Sequence, residues 1–284
     1  MCAKVEALAF TIQISGAKLD SLTLYGVADG ILAFSSGSCD NLISMLRPLR
    51  RLHLSINCHS GDTSGSNNAK LDRVGTYLAA GSFPNSIEAI GNIRVLELQM
   101  PSYLPEAHEA VHPVVDFGHI FGDATAPHLT ELSLGWFATS KATLAGLLLR
   151  HKCTLQRVSL SNFVLTNNDW PQVFSDIAGK LPKLHKLSPR GEFATALDEY
   201  EPADLWLNTG NAYMAACDRW EILLPRIAVE RFVFEGGEVP DVHRLYQVGE
   251  ELRKNPKLPR PERMYEPPEP VIRNDGFDEA DENW

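Results

Sequence analysis

The chain has 284 residues, of which 44% are hydrophobic and 22% charged, and its formal net charge is −10 at neutral pH. That is ordinary globular composition, long enough for one elongated repeat domain or two conventional domains. The acidic balance argues against a nucleic-acid partner, which calls for a basic stripe, and against an anionic lipid surface; no stretch approaches the ~18 apolar residues of a membrane span.

In chain order, Val5, Leu8, Ala9 and Ile12 fall at helical spacing, and Ser15-Gly16 stops that helix. A motif then begins that returns six times: Leu, two residues, Leu, one residue, Leu. It reads Leu19/Leu22/Leu24, Leu49/Leu52/Leu54, Ile93/Leu96/Leu98, Leu129/Leu132/Leu134, Leu155/Val158/Leu160, and a worn copy at Leu184/Leu187. The last two apolar positions alternate, so they share one face of a short strand, and the first lies on the turn leading into it. The first strand is expected over Leu19–Tyr25. Such a unit buries its apolar face only by stacking on neighbours.

Between the copies, residues 38–46 read as a short helix, His59 to Ala69 as a Ser/Gly/Asn-rich loop, and Leu71, Val74 and Leu78 as a helix ended by Gly81 to Pro84. The interval from Leu49 to Ile93 is the longest and is expected to carry an extra loop, and Pro101 to Pro113 reads as an irregular insertion. Ser140 looks like an N-cap for a helix with a Leu144, Leu147, Leu148 stripe. Asp169 is placed to cap the next helix, with Pro171 in its first turn and Val173, Phe174, Ile177 and Leu181 on its buried side. Trp136/Phe137 and Phe163 read as aromatics on the turns after the strands. The intervals Leu129 to Leu155 and Leu155 to Leu184 fall in the range of leucine-rich repeats.

The pattern changes after residue 200. Leu205, Trp206, Leu207, Tyr213, Met214 and Trp220 suggest helical packing around Gly210, and Val229 to Phe234 is compatible with a final strand. Residues 256–284 hold six prolines between Pro256 and Pro270 and five acids without a base after Arg273, the composition of a disordered tail. The expected organisation is therefore an irregular leucine-rich-repeat-like α/β solenoid over 1–200, with a parallel sheet of about six strands on one side and helices on the other. A C-terminal cap over 201–255 and a Pro-rich acidic tail over 256–284 complete it.

If the leucines face inward, the residues between them face outward. These are Ser21, Thr23 and Tyr25; Arg51, His53 and Ser55; Val95, Glu97 and Gln99; Glu131, Ser133 and Gly135; Arg157, Ser159 and Ser161. This polar surface of mixed charge is the candidate partner-binding face, carried by Tyr25, Arg51, His53, Glu97, Gln99, Glu131 and Arg157, because solenoids commonly bind on their open face. His53 and Glu97 are expected side by side as a surface ion pair rather than an acid–base pair, and His151 and His185 as structural residues at repeat junctions.

One catalytic-looking motif stands apart: His108-Glu109-Ala110-Val111-His112 matches H-E-x-x-H, which on a helix holds zinc and activates water. Pro113 disfavours helical geometry at His112 and removes the donor for the carbonyl of Glu109. Pro101 and Pro105 leave room for only a very short helix, and no third ligand is evident beyond nearby Asp116 and His119. The zinc-hydrolase alternative is therefore weak, and no enzyme activity, cofactor or metal is expected. The chain has no G-x-G-x-x-G, P-loop or G-x-S-x-G signature. Its five cysteines form no C-x-x-C pair, there is no N-x-S/T acceptor, and the first ten residues make a poor signal peptide. A cytoplasmic or nuclear protein with free thiols is expected.

Between 126 and 187 the wording becomes specific: PHLTELSL over 127–134, TLAGLLLRHKCTLQRVSL over 143–160, NDW over 168–170 and LPKL over 181–184. Together with ISGAKLDSL at 14–22 and FEGG at 234–237, this resembles the leucine-rich C-terminal region of fungal F-box-type proteins, across residues 5–240. The resemblance implies a substrate-recruiting surface in a ubiquitin-ligase adaptor, with a Skp-type adaptor and cullin as partners of an N-terminal F-box. No F-box is legible before residue 5 and there is no room for one. The opening repeat helix also lacks a polar cap, as expected where a preceding element is missing or Met1 begins a truncated product. The repeat region by itself supports binding of a protein partner.

Overall fold

The computed structural model describes residues 18–28, 47–57, 91–100, 115–116, 125–166, 170–196, 204–208 and 220–255, with Thr11, Ser15 and Gly16. The strands are β1 (Ser21–Ala28), β2 (Arg51–Asn57), β3 (Val95–Gln99), β4 (Val115–Asp116), β5 (Glu131–Thr139), β6 (Arg157–Thr166), β7 (Lys186–Ala196) and β8 (Asp204–Asn208). Four helices are described: α1 (Lys141–Arg150), α2 (Trp170–Ile177), α3 (Trp220–Glu235) and α4 (Val242–Lys254). The result is a mixed α/β protein with one mostly parallel sheet in the order β1-β2-β3-β5-β6-β7-β8, and β4 paired to β5 off this path.

The register follows the sequence motif. Leu22, Leu52, Leu96, Leu132, Val158 and Leu187 are successive partners across the sheet, as are Leu24, Leu54, Leu98, Leu134 and Leu160. The motif's first position is buried as well, at 0–1% exposure for Leu49, Ile93, Leu129 and Leu155. One carbonyl before each strand accepts two N–H groups from the next copy. Asp20 O takes those of Arg50 and Arg51 at 2.9 and 3.1 Å, and Arg50 O those of Arg94 and Val95 at 2.8 and 3.0 Å. Arg94 O, Thr130 O and Gln156 O then repeat the pattern with Thr130/Glu131, Gln156/Arg157 and His185/Lys186. Five equivalent junctions thus satisfy the backbone where the chain enters each strand.

Parallel neighbours need crossovers, and α1 and α2 supply them between β5, β6 and β7. Ser140 caps α1, its Oγ accepting the Thr143 N–H at 3.2 Å, and Leu144, Leu147 and Leu148 are buried. Trp170, Val173, Phe174 and Ile177 are buried on α2, with Pro171 in its first turn; Asp169 lies outside the described residues. These helices and the inner residues of the strands form one apolar core. No described helix is long and apolar enough to cross a membrane.

Three expectations are corrected. Trp136/Phe137 and Phe163 lie inside β5 and β6, which run on past the motif. Trp136 and Asn162 adopt φ of 64° and 54°, and Gly191 on β7 adopts 71°. That kink at neighbouring positions turns Phe137, Phe163 and Phe193 back into the core, where adjacent rings lie 5.7 and 6.4 Å apart. Leu205 to Leu207 belong to β8, an antiparallel strand on β7, and not to a helix. Val229 to Phe234 are helical within α3. Their β-branched and aromatic composition imitates a strand, but Ile222, Val229, Phe232 and Val233 are buried at helical spacing.

The expected elements over residues 38–46, 59–69 and 71–84 and the insertion at 101–113 lie outside the described residues, as do the tail over 256–284 and most of the first helix. Helices α3 and α4 pack together, and α3 also contacts α2, β7 and β8. Val229, Phe232, Val233 and Val242 join the same core as the strands.

Candidate functional site

Alternation places two polar rows side by side on the sheet face opposite the leucines. Ser21, Arg51, Val95, Glu131, Arg157 and Lys186 are register partners in one, and Thr23, His53, Glu97, Ser133, Ser159 and Ser188 in the next. A shorter row holds Ser55, Gln99, Gly135, Ser161 and Arg190. A Cβ on Gly135 would overlap the Gln99 amide, so the bare backbone leaves that side chain room to lie across the sheet.

The expected face residues fall on this surface. His53 Nδ1 and Glu97 Oε2 are 2.9 Å apart, Arg157 and Glu131 3.6 Å apart. Tyr25, 60% exposed, sets its ring against His53 with centroids 4.6 Å apart. His108, Glu109 and His112 lie outside the described residues.

The face is hollowed toward β7, where Glu97, Glu131 and Arg157 meet residues of β7 that the sequence reading did not single out. A concavity of about 190 Å3 is lined by Glu97, Glu131, Arg157, Lys186, Ser188 and Arg190, among others. Continuing the alternation past Leu187 names Lys186, Ser188 and Arg190; the worn sixth copy hid that signal. Helix α3 adds Arg226, whose Nε donates to Glu230 Oε1 at 2.8 Å. Reading Val229 to Phe234 as a strand hides the i,i+4 spacing that joins Glu230 to Arg226.

The cations crowd one another. Lys186 is held below the ordinary lysine range by partial desolvation first, then by Arg157, Arg190 and Arg226, with Glu230 pulling the other way. Arg190 is exposed at the rim yet also depressed, by desolvation and by Arg226, against the pull of Glu97. Burial raises the Glu230 carboxyl, and Arg226 opposes that rise. Beneath them the Ser188 hydroxyl is buried and has no hydrogen-bond partner. The face thus offers charged and hydroxyl groups in rows, which suits recognition of a polar surface. Among the described residues no three His, Cys, Asp or Glu side chains converge as a metal site. No protein-family model matches the chain, and no curated protein matches its sequence.

Proposed function

We propose that this chain is a non-enzymatic protein-interaction domain, a leucine-rich-repeat-like solenoid that recruits a protein partner on the polar face of its sheet. The observation that carries the reading is the polar rows themselves: mixed charges held at fixed strand spacing, over a ladder of buried leucines. The five equivalent backbone junctions support a solenoid, since each copy docks on the next in the same way. Polar pairs such as His53–Glu97 and Arg157–Glu131 present both signs of charge beside hydrogen-bonding groups, which favours selection of a partner over raw affinity. The resemblance to the recruiting region of fungal F-box-type proteins extends the proposal to a ubiquitin-ligase adaptor working in the cytoplasm or nucleus, with a Skp-type adaptor engaged by an F-box upstream.

Affinity purification of the full-length transcript product from its native cell tests this. Recovery of a Skp-type adaptor and a cullin supports the ligase role; partners without them make the chain an independent scaffold. Arg51→Ala, Glu97→Ala and Arg157→Ala together are expected to release the partners. Retention of every partner by a folded triple variant moves binding away from the sheet face.

A further inference from the structure

Two carboxylates, Glu97 and Glu131, line the concavity beside β7, a third, Glu230, acts on Lys186 from α3, and each has a partner. Glu97 meets His53 at 2.9 Å, Glu131 meets Arg157 at 3.6 Å, and Glu230 meets Arg226 at 2.8 Å. Of the four cations there, Lys186 and Arg190 make no ion pair among the described residues. With His53 neutral, as imidazole is at neutral pH, four cations against three carboxylates leave one positive charge in excess. The cations are brought together from two strands and a helix and repel one another, a cost that an incoming anion relieves. Ser188 adds a second, independent sign, because a buried hydroxyl without a partner costs free energy that a ligand oxygen recovers.

We propose that this concavity receives one carboxylate side chain, aspartate or glutamate, from an exposed segment of a protein partner, with Lys186 and Arg190 supplying charge and Ser188 a hydrogen bond. The proposal rests on the sheet face being the partner surface. The size fits a side chain: about 190 Å3 lies below the ~300–1,000 Å3 of sites that enclose whole small molecules. The charge fits a monoanion. One excess positive charge is neutralised by a carboxylate, whereas a phosphate dianion overshoots it and meets Glu97 and Glu131 at the wall. The net charge of −10 repels acidic peptides from the rest of the molecule, so any that bind report a local site.

The test uses purified protein and fluorescein-labelled deca-glutamate, deca-glutamine and deca-phosphoserine, read by fluorescence anisotropy at fixed ionic strength. Deca-glutamate is expected to bind at least about tenfold more tightly than deca-glutamine, the scale of one charge-assisted hydrogen bond. Lys186→Gln with Arg190→Gln should abolish that difference, and Ser188→Ala should weaken it severalfold. Glu131→Gln, which frees Arg157, should tighten binding, a gain that misfolding cannot produce. Equal binding of glutamate and glutamine peptides overturns the proposal, as does an unaffected double variant, a Glu131→Gln that weakens binding, or a tighter deca-phosphoserine complex. Failure to recover a cellular partner leaves this result standing, because only purified components enter it. Conversely, partners captured by a protein that ignores deca-glutamate preserve the interaction role and remove the carboxylate receptor.

Discussion

His151 shows how one side chain ties two copies together. Its Nδ1 donates to Leu147 O at 2.9 Å and its Nε2 accepts the Ala126 N–H at 3.0 Å, so the ring must be neutral. Burial lowers its pKa below 6.5, Arg150 adds to this, and the Leu147 bond opposes it. A depressed folded value means that the unfolded chain takes up the proton first. The stabilisation from a neutral His151 is complete above pH 6.5 and is lost as pH falls through the folded value. Thermal melts from pH 7.5 to 5 should show a falling midpoint, with a shallower slope for His151→Gln. Equal slopes would remove His151 from the pH response.

Gly191 is a second residue-scale case. Its φ of 71° is the left-handed region, and a Cβ there would strike the Asn162 side chain, whose Oδ1 accepts the Glu192 N–H at 3.1 Å. Gly191→Ala should cost about 1–3 kcal/mol of stability in chemical denaturation. A cost near zero would show that the kink relaxes freely.

At the scale of elements, the leucine ladder and the aromatic cluster do different work. Leu132 sits mid-ladder between Leu96 and Val158 at 2% exposure. Leu132→Ala should lose about 2–5 kcal/mol, and Leu132→Asp should unfold the domain by burying an unpaired charge. A Leu132→Asp protein with an unchanged melting temperature would contradict the packing. The aromatic cluster binds α2 to the sheet's far edge: Trp170 lies 4.9 Å from Phe193 and 6.3 Å from Trp206 between centroids, and its Nε1 donates to Ala194 O at 2.8 Å. Trp206 reaches this cluster only because β8 is a strand.

For the whole molecule, α3 closes the sheet. β8 pairs with β7 only over Glu192–Thr195 and leaves the first part of β7 to α3, whose Val233 carbonyl accepts the Gly179 N–H at 3.0 Å. An uncovered β7 edge would template strand addition from another molecule. A chain stopped after Asn208 should therefore self-associate in light scattering while the full chain does not. A truncated chain that stays monomeric with an unchanged melting temperature would show that α3 is dispensable for closure. The same helix brings Arg226 and Glu230 beside Lys186, so covering the edge and shaping the concavity are one event.

The sequence alone determined the ladder, its register and the face that Arg51, Glu97, Glu131 and Arg157 share, because strand alternation has a period of two and each motif copy carries its own phase. It also determined α1 and α2, where the Ser140 cap and the apolar stripes agree, except that α2 ends at Ile177 and Leu181 is buried beyond it. Only tertiary structure decided the state of Val229 to Phe234 and of Leu205 to Leu207. Both runs are apolar on more than one face, and periodicity in so short a window does not separate strand from helix. Packing against α2 and β7 made one a helix, and the open edge of β7 made the other a strand. The charge balance of the concavity was likewise a tertiary outcome. Lys186 and Arg190 belong to the worn sixth copy and Arg226 lies on a distant helix, and Coulomb interactions depend on distances that only the fold sets.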